Sequence, residues 1–267
     1  MIEFISSPQN AKVKFLLNLQ QKSSARKKNE LFVAEGLREI QHCVDAGFEV
    51  DSIFYCTGLS RASELQHLLE SLPSAVKRFE VSPQVYEKIA YRDGTEGVIA
   101  EIKVRHLGLE DLNLGPAPLI IVLESVEKPG NLGAVLRSAD AAKADALIVC
   151  DPLTDLFNPN LIRSSVGAAF TVPTVACSSQ ECIEFLKERG IKILTAQLQD
   201  SELYYNTPMT GGTAIVMGTE STGLSQAWRK AADAHIRIPM LGQIDSLNVS
   251  VSAAILLFEA VRQRNSE

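Results

Sequence analysis

The chain reads as an α/β protein in two parts, a small mixed unit followed by a larger one built on a parallel sheet. Three observations predict this. Beyond residue 118, uninterrupted apolar runs such as Leu119–Glu124, Ala146–Cys150 and Lys192–Ala196 alternate with helical patterns. Strands buried on both faces by crossover helices have that composition. Before residue 106, segment 97–104 alternates apolar and polar residues instead, the mark of a half-buried strand. Between the two, Gly108, Gly115, Pro116 and Pro118 break any periodicity. The expected domains are therefore 1–105 and 119–267, joined by a linker at 106–118.

In the first part a helix is expected over 10–21, followed by a polar, basic loop. Next come the apolar run 31–36, an amphipathic helix to Ala46 and a strand at 51–56. A helix near 60–72 and a strand near 76–81 precede the strand at 97–104. In the second part, Leu119–Glu124 leads to an alanine-rich helix at 132–142, the strand Ala146–Cys150, a short helix at 160–169 and a strand at 170–175. A helix at 180–189, strands at 192–196, 214–218 and 236–238, and a last helix at 248–264 complete the pattern.

Composition sets the function classes. With 267 residues, 46% hydrophobic and 22% charged, the chain has ample material for a buried core. No apolar run reaches the ~20 residues that span a bilayer, and residues 1–10 lack the basic-then-apolar pattern of a secretory signal. A cytoplasmic protein without membrane contact is expected. The five cysteines (43, 56, 150, 177, 182) form no C-x-x-C pair, and the four histidines share no ligand spacing, so neither disulfides nor a metal are expected.

The net charge of −6 argues against a nucleic-acid partner, but its distribution does not. Residues 1–29 carry six basic side chains against one acid, Glu3. Such an arm can grip phosphates locally, because charges act strongly only within about 8–10 Å. Lys12, Lys14, Arg26, Lys27 and Lys28, with Arg163 further on, are the candidate contacts; a merely solvated face is the alternative.

Three segments carry chemistry. Residues 128–139 follow a strand and open a helix, the usual place for a phosphate or cofactor contact, yet lack G-x-G-x-x-G. Within them Asn131 is either a helix cap or a substrate-orienting group, and Arg137 either a structural ion pair or an anion-handling group. Residues 215–224 run a buried strand into Gly218, where a flat ligand can approach, with Glu220 two residues on. In the third, Ile238-Pro239-Met240 is followed by Ser246-Leu247-Asn248-Val249-Ser250, a polar turn opening an apolar helix.

In order and spacing these segments resemble the three motifs of the SpoU (TrmH-like) branch of the SPOUT RNA methyltransferases, over residues 119–264. Residues 6–36, with Asn10, Lys14, Leu19, Arg26 and Phe32-Val33-Ala34-Glu35-Gly36, are similar to the opening of that family's substrate-binding domain. The resemblance implies a trefoil-knotted C-terminal domain that binds S-adenosylmethionine (AdoMet), a ribosomal-protein-like N-terminal unit that holds structured RNA, and a homodimer. The implied reaction is methyl transfer to a ribose 2′-hydroxyl, in ribosomal RNA because of the extra N-terminal unit.

By the same resemblance Arg137, Asn131, Glu220, Ser246 and Asn248 form the catalytic set. Gly218, Ile238 and Leu247, with Met217 and Met240 beside them and Thr195 and Ala196 at another strand end, contact the cofactor. An arginine, with a pKa above ~12, is a poor free-standing base, so Arg137 is read as a phosphate and alkoxide binder. Three alternatives stand: a catalytically silent RNA-binding protein of the same fold, a tRNA-directed enzyme, and a nucleotide-binding oxidoreductase, which lacks its glycine fingerprint.

Overall fold

The computed structural model describes residues 2–91, 96–219, 222–244 and 246–265. Two compact units emerge: residues 1–105 together with Leu156–Phe170, and His106–Asp155 together with Thr171–Glu267. The first unit's opening stretch ends at Arg105, and residues 106–118, expected from sequence as a linker, group with the second unit. The segment 156–170, which sequence reading places in the second part, packs with the first.

The first unit runs β1 (Ile2–Ile5), α1 (Ala11–Gln21), α2 (Ser23–Asn29), β2 (Leu31–Glu35), α3 (Leu37–Asp45), β3 (Val50–Tyr55), α4 (Ala62–Ser71), β4 (Lys77–Val81), α5 (Pro83–Ile89) and β5 (Val98–Lys103). Its sheet has the order β1-β4-β3-β5-β2. The pairs around β4 are parallel and those around β5 antiparallel. Strand alternation splits the core in two. Phe32, Ala34, Ile53, Tyr55, Val98 and Ala100 face Ile40, Leu65 and Leu68 of α3 and α4. Val33, Phe54 and Ile99 face Leu16, Leu19, Tyr86 and Ile89 of α1 and α5. The 156–170 segment adds Phe157 and Phe170, stacked on Phe32 at centroid distances of 4.7 and 5.8 Å.

Local signals explain the helix starts. The Asn10 side chain accepts from Lys12 N (2.8 Å), and Ser82 caps α5 ahead of Pro83. The basic loop expected after residue 21 is instead the helix α2, closed by Glu30 in a left-handed conformation (φ 51°). The alternation around residues 83–89 is too short to announce α5 without its cap.

The second unit runs β6 (Leu119–Glu124), α6 (Pro129–Ala141), β7 (Ala146–Cys150), then, after α7 (Pro159–Ser165) and α8 (Ala168–Thr171), β8 (Thr174–Cys177), α9 (Ser179–Glu188) and β9 (Lys192–Ala196). It ends with β10 (Glu202–Leu203), β11 (Thr213–Met217), α10 (Gln226–Ala231), β12 (Ala234–Arg237) and α11 (Val249–Arg264). The strand expected at 170–175 is displaced: Phe170 and Thr171 end a short helix, and the strand begins after Pro173, whose ring cannot donate to a ladder.

The seven strands form one sheet of order β10-β12-β9-β11-β6-β7-β8, with every pair parallel. One face buries Ile120, Val122, Ile148 and Val216 against Leu186 of α9 and Trp228 of α10. On α6 and α11, Leu132, Val135, Ala253, Leu256 and Leu257 are buried, and the two helices pack on each other. Arg264 closes α11 by donating to the carbonyls of Met209, Ala117, Pro118 and Gly211. Among the described residues no helix is long and apolar enough to cross a membrane.

Candidate active site

Ligands of open parallel sheets bind beyond the carboxyl ends of the strands. Among the described residues, two clefts lie there. The first is lined by Val126, Glu127, Lys128, Asn131, Gly218, Thr219 and Val249. The second, of about 150 Å³, is lined by Ala196, Gln197, Leu198, Met217, Ile236, Arg237, Ile238, Met240, Ser246, Leu247 and Ser252. Three loops distant in sequence thus meet at one edge.

A hydrogen bond ties two of them: Asn248 Nδ2 donates to Asn131 Oδ1 at 3.2 Å. Asn248 is the N-cap of α11, and its Oδ1 accepts from Ser250 N (3.0 Å) and the Ser250 hydroxyl (2.7 Å). The cap of the last helix is therefore Asn248, and Ser246 is exposed in the second cleft. Asn131 is not a cap either. The helix begins earlier than sequence suggests, with Lys128 as N-cap and Pro129 as first residue, so Asn131 stands within the first turn.

Gly218 serves its own chain first. A Cβ there would stand 2.3 Å from the Gly223 carbonyl carbon and oxygen and 2.6 Å from Leu224 N, because the following turn folds back. Gly223 N donates to Thr219 O (3.1 Å), and Gly223 takes φ +66°. Behind the turn, the buried Glu124 accepts from Ser225 N (2.8 Å) and lies 3.2 Å from the Ser179 hydroxyl. Ser179 also donates to Asp151 (2.6 Å) and accepts from Trp228 Nε1 (3.0 Å). This network anchors the turn that carries Gly218.

Of the expected cofactor contacts, Ala196, Met217, Ile238, Met240 and Leu247 line the second cleft and Gly218 the first. Thr195 is corrected. It is 0% exposed, and its hydroxyl lies 2.6 Å from His235 Nδ1, so its side chain is a strand-to-strand bond. Glu220 lies outside the described residues. Arg137 is exposed on α6 and lines neither cleft, and its side chain makes no hydrogen bond or ion pair among the described residues.

In the first unit, Lys14, Lys27, Lys28 and Arg163 are exposed. Arg163 borders a pocket with Gln20, Val33, Glu35, Tyr91, Pro159 and Ile162. Lys12 is paired with Glu3 and sits over the Phe79 ring. Arg26 is corrected: it is 3% exposed and donates to the carbonyls of Leu19 (2.6 Å) and Gln20 (3.2 Å), closing the end of α1.

Residues 118–258 match the model of the SpoU rRNA methylase family. The chain belongs to the SpoU rRNA methylase family. Residues 10–100 match an MRM3-like substrate binding domain. The SpoU chain is 34% identical to the Vibrio cholerae 23S rRNA (guanosine-2′-O-)-methyltransferase RlmB, over 84% of this chain and 95% of that one. It is 28% identical to the Bacillus subtilis 23S rRNA (guanosine(2553)-2′-O)-methyltransferase RlmP, over 95% and 97%. The crystal structure of an AdoMet-bound rRNA methyltransferase from Sinorhizobium meliloti superposes with a TM-score of 0.90 at 27% identity, covering 98% of both chains.

Sequence reasoning missed several groups in this SpoU site. Gln197, Leu198 and Arg237 enter the second cleft because they end or follow β9 and β12, a position rule that flags them without any motif. Lys128 and Thr219 enter the first as immediate neighbours of motif residues. Glu124 had no sequence signal: it ends an apolar strand, and only the fold shows what its carboxylate holds.

Proposed function

We propose that this SpoU chain transfers a methyl group from AdoMet to a ribose 2′-hydroxyl of ribosomal RNA. The observation that carries the reading is the convergence of Asn131, Gly218, Asn248 and Leu247 at one end of the sheet, with an apolar cleft beside one that also presents Lys128, Asn131 and Thr219. The residues fit AdoMet: Met217, Ile236, Ile238, Met240 and Leu247 offer flat apolar walls to a purine, and Ser246 and Ser252 offer hydroxyls at the rim. When bound, AdoMet supplies an electrophilic methyl group on a sulfonium.

The chain's own residues do the rest by positioning. Asn131 and Asn248 fix the mouth of the first cleft. The Gly218 turn, pinned by Glu124, forms the seam between the clefts. Arg137 binds the phosphate flanking the target ribose through its guanidinium and stabilises the developing alkoxide.

Because Arg137 lines neither cleft of its own chain, it acts on the site of a second copy, and the working form is a homodimer. Exposed apolar side chains support this: Leu241 (96%) and Ile244 (67%) in the third-motif loop, with Val251 and Phe258 on α11. The second unit is read as trefoil-knotted. The support is the resemblance together with the strand order, in which β11 lies between β9 and β6 while the later β12 returns to the far side of β9. The first unit, ribosomal-protein-like and carrying Lys14, Lys27, Lys28 and Arg163 on its surface, is the RNA-holding part, in a cytoplasmic enzyme.

Incubating the purified protein with labelled AdoMet and either rRNA or tRNA from cells lacking the gene tests the reading. Label is expected in rRNA, at one alkali-resistant linkage. Label in tRNA alone reassigns the substrate, and AdoMet binding without transfer to any RNA favours the silent RNA-binding protein.

A further inference from the structure

Five cysteines without a paired motif give no metal signature, yet the fold gathers three of them. Cys150 ends β7 and Cys177 ends β8, where the two are register partners across the parallel pair. Cys182 comes from the first turn of α9, and the three sulfurs all lie within 4.8 Å of one another. We propose that Cys150, Cys177 and Cys182 form a three-thiolate site for a thiophilic d10 metal ion, zinc(II) or copper(I).

Geometry supports it first. Zinc–thiolate bonds are about 2.3 Å long, so three sulfurs around one ion stand about 4 Å apart, and the widest pair here need close by no more than about 1 Å. Softness comes second: a cluster of sulfur alone selects copper(I) and zinc over magnesium or calcium. Access comes third. Cys150 and Cys182 are buried beside Val175 and Ile183, whereas Cys177 is partly exposed and opens a path from solvent.

A cation entering the cluster forms three metal–sulfur bonds, and the coordinating thiols release their protons to water. The site stands independently of the methyl-transfer reading and ties β7, β8 and α9 together behind the Ser179 hydroxyl that meets Glu124.

The test uses the full chain, reduced and freed of metal, titrated with cobalt(II) as the probe for zinc and separately with copper(I) against a competing chelator. One equivalent per chain is expected, with a thiolate-to-cobalt charge-transfer band, proton release and a raised melting temperature. Cys177→Ser, at the most accessible position, should weaken binding at least tenfold, whereas Cys43→Ala and Cys56→Ala should not. Circular dichroism of each variant excludes loss of fold, and Cys182→Ala repeats the test should Cys177→Ser unfold. No stoichiometric binding of either ion, or equal binding by Cys177→Ser and Cys182→Ala, overturns the site.

Discussion

Asn248 Nδ2 donates to Asn131 Oδ1 at 3.2 Å, so the cap of the last helix is bonded to the first turn of α6 across 117 residues of sequence. This bond makes the first and third motifs one structure. Asn131→Ala should cut methyl transfer at least 100-fold, about 3 kcal/mol of transition-state stabilisation. Asn131→Asp keeps the acceptor oxygen and should retain more activity. Asn248→Ala adds the loss of a helix cap, about 1 kcal/mol, and should lower the melting temperature as well. Rates on rRNA measured beside thermal melts separate the two effects; equal activity of Asn131→Ala and wild type would sink the assignment.

Gly218→Ala is the sharper probe of the second motif. The added methyl would meet backbone of Gly223 and Leu224 at 2.3–2.6 Å, a clash that flexible side-chain motion cannot relieve. The turn must move, at a cost of about 1–3 kcal/mol. Titration calorimetry with AdoMet should show at least tenfold weaker binding by a protein that still folds.

These two positions show what the sequence made legible. Uninterrupted apolar runs marked β6, β7, β9 and β11 because burial on both faces leaves no polar alternation to misread. The site loops were visible through their motifs. Hidden were features that depend on where elements land. Arg26 looked like a surface cation, but the end of α1 turns it inward to satisfy two carbonyls. Thr195 sat at a strand end as a ligand contact would, yet β12 covers it. Phe157 and Phe170 read as part of the second domain because chain order says nothing about which core an excursion joins.

Arg137 distinguishes a catalytic cation from a structural one. Exposed and outside both clefts, it should be replaceable by alanine within about 0.5 kcal/mol of stability and with AdoMet affinity unchanged. Methyl transfer should nevertheless collapse, with partial recovery in Arg137→Lys. Mixing inactive Arg137→Ala and Asn131→Ala subunits should restore activity, since one hybrid site then has both groups intact. A fully active Arg137→Ala enzyme would remove it from the mechanism.

Glu101 sets a pH dependence in the first unit. It is 4% exposed, and burial pushes its carboxyl from 4.5 up to about 7, partly offset by the Ser52 hydroxyl at 2.6 Å. A carboxyl raised on folding contributes stability that is complete below the unfolded value and is lost as pH climbs through the folded one. Stability should therefore fall between about pH 4.5 and 7, by at most about 3 kcal/mol. Glu101→Gln should flatten that slope and melt higher than wild type at pH 8; identical pH profiles for the two would refute the effect.

Finally, the basic side chains of the first unit should divide by what they touch. Lys27 and Lys28 are exposed on α2, so alanine at either should leave melting unchanged. Each should weaken rRNA binding and lower the slope of log affinity against log salt by about 1 for every phosphate no longer neutralised. Arg26, one residue away, should behave oppositely. Its removal leaves the Leu19 and Gln20 carbonyls without that donor in a buried place, costing about 1–3 kcal/mol in stability while the salt slope stays put. Salt-dependent filter binding and thermal melts on the three variants read both quantities, and an unchanged slope in Lys27→Ala and Lys28→Ala would move the RNA to another face of this unit.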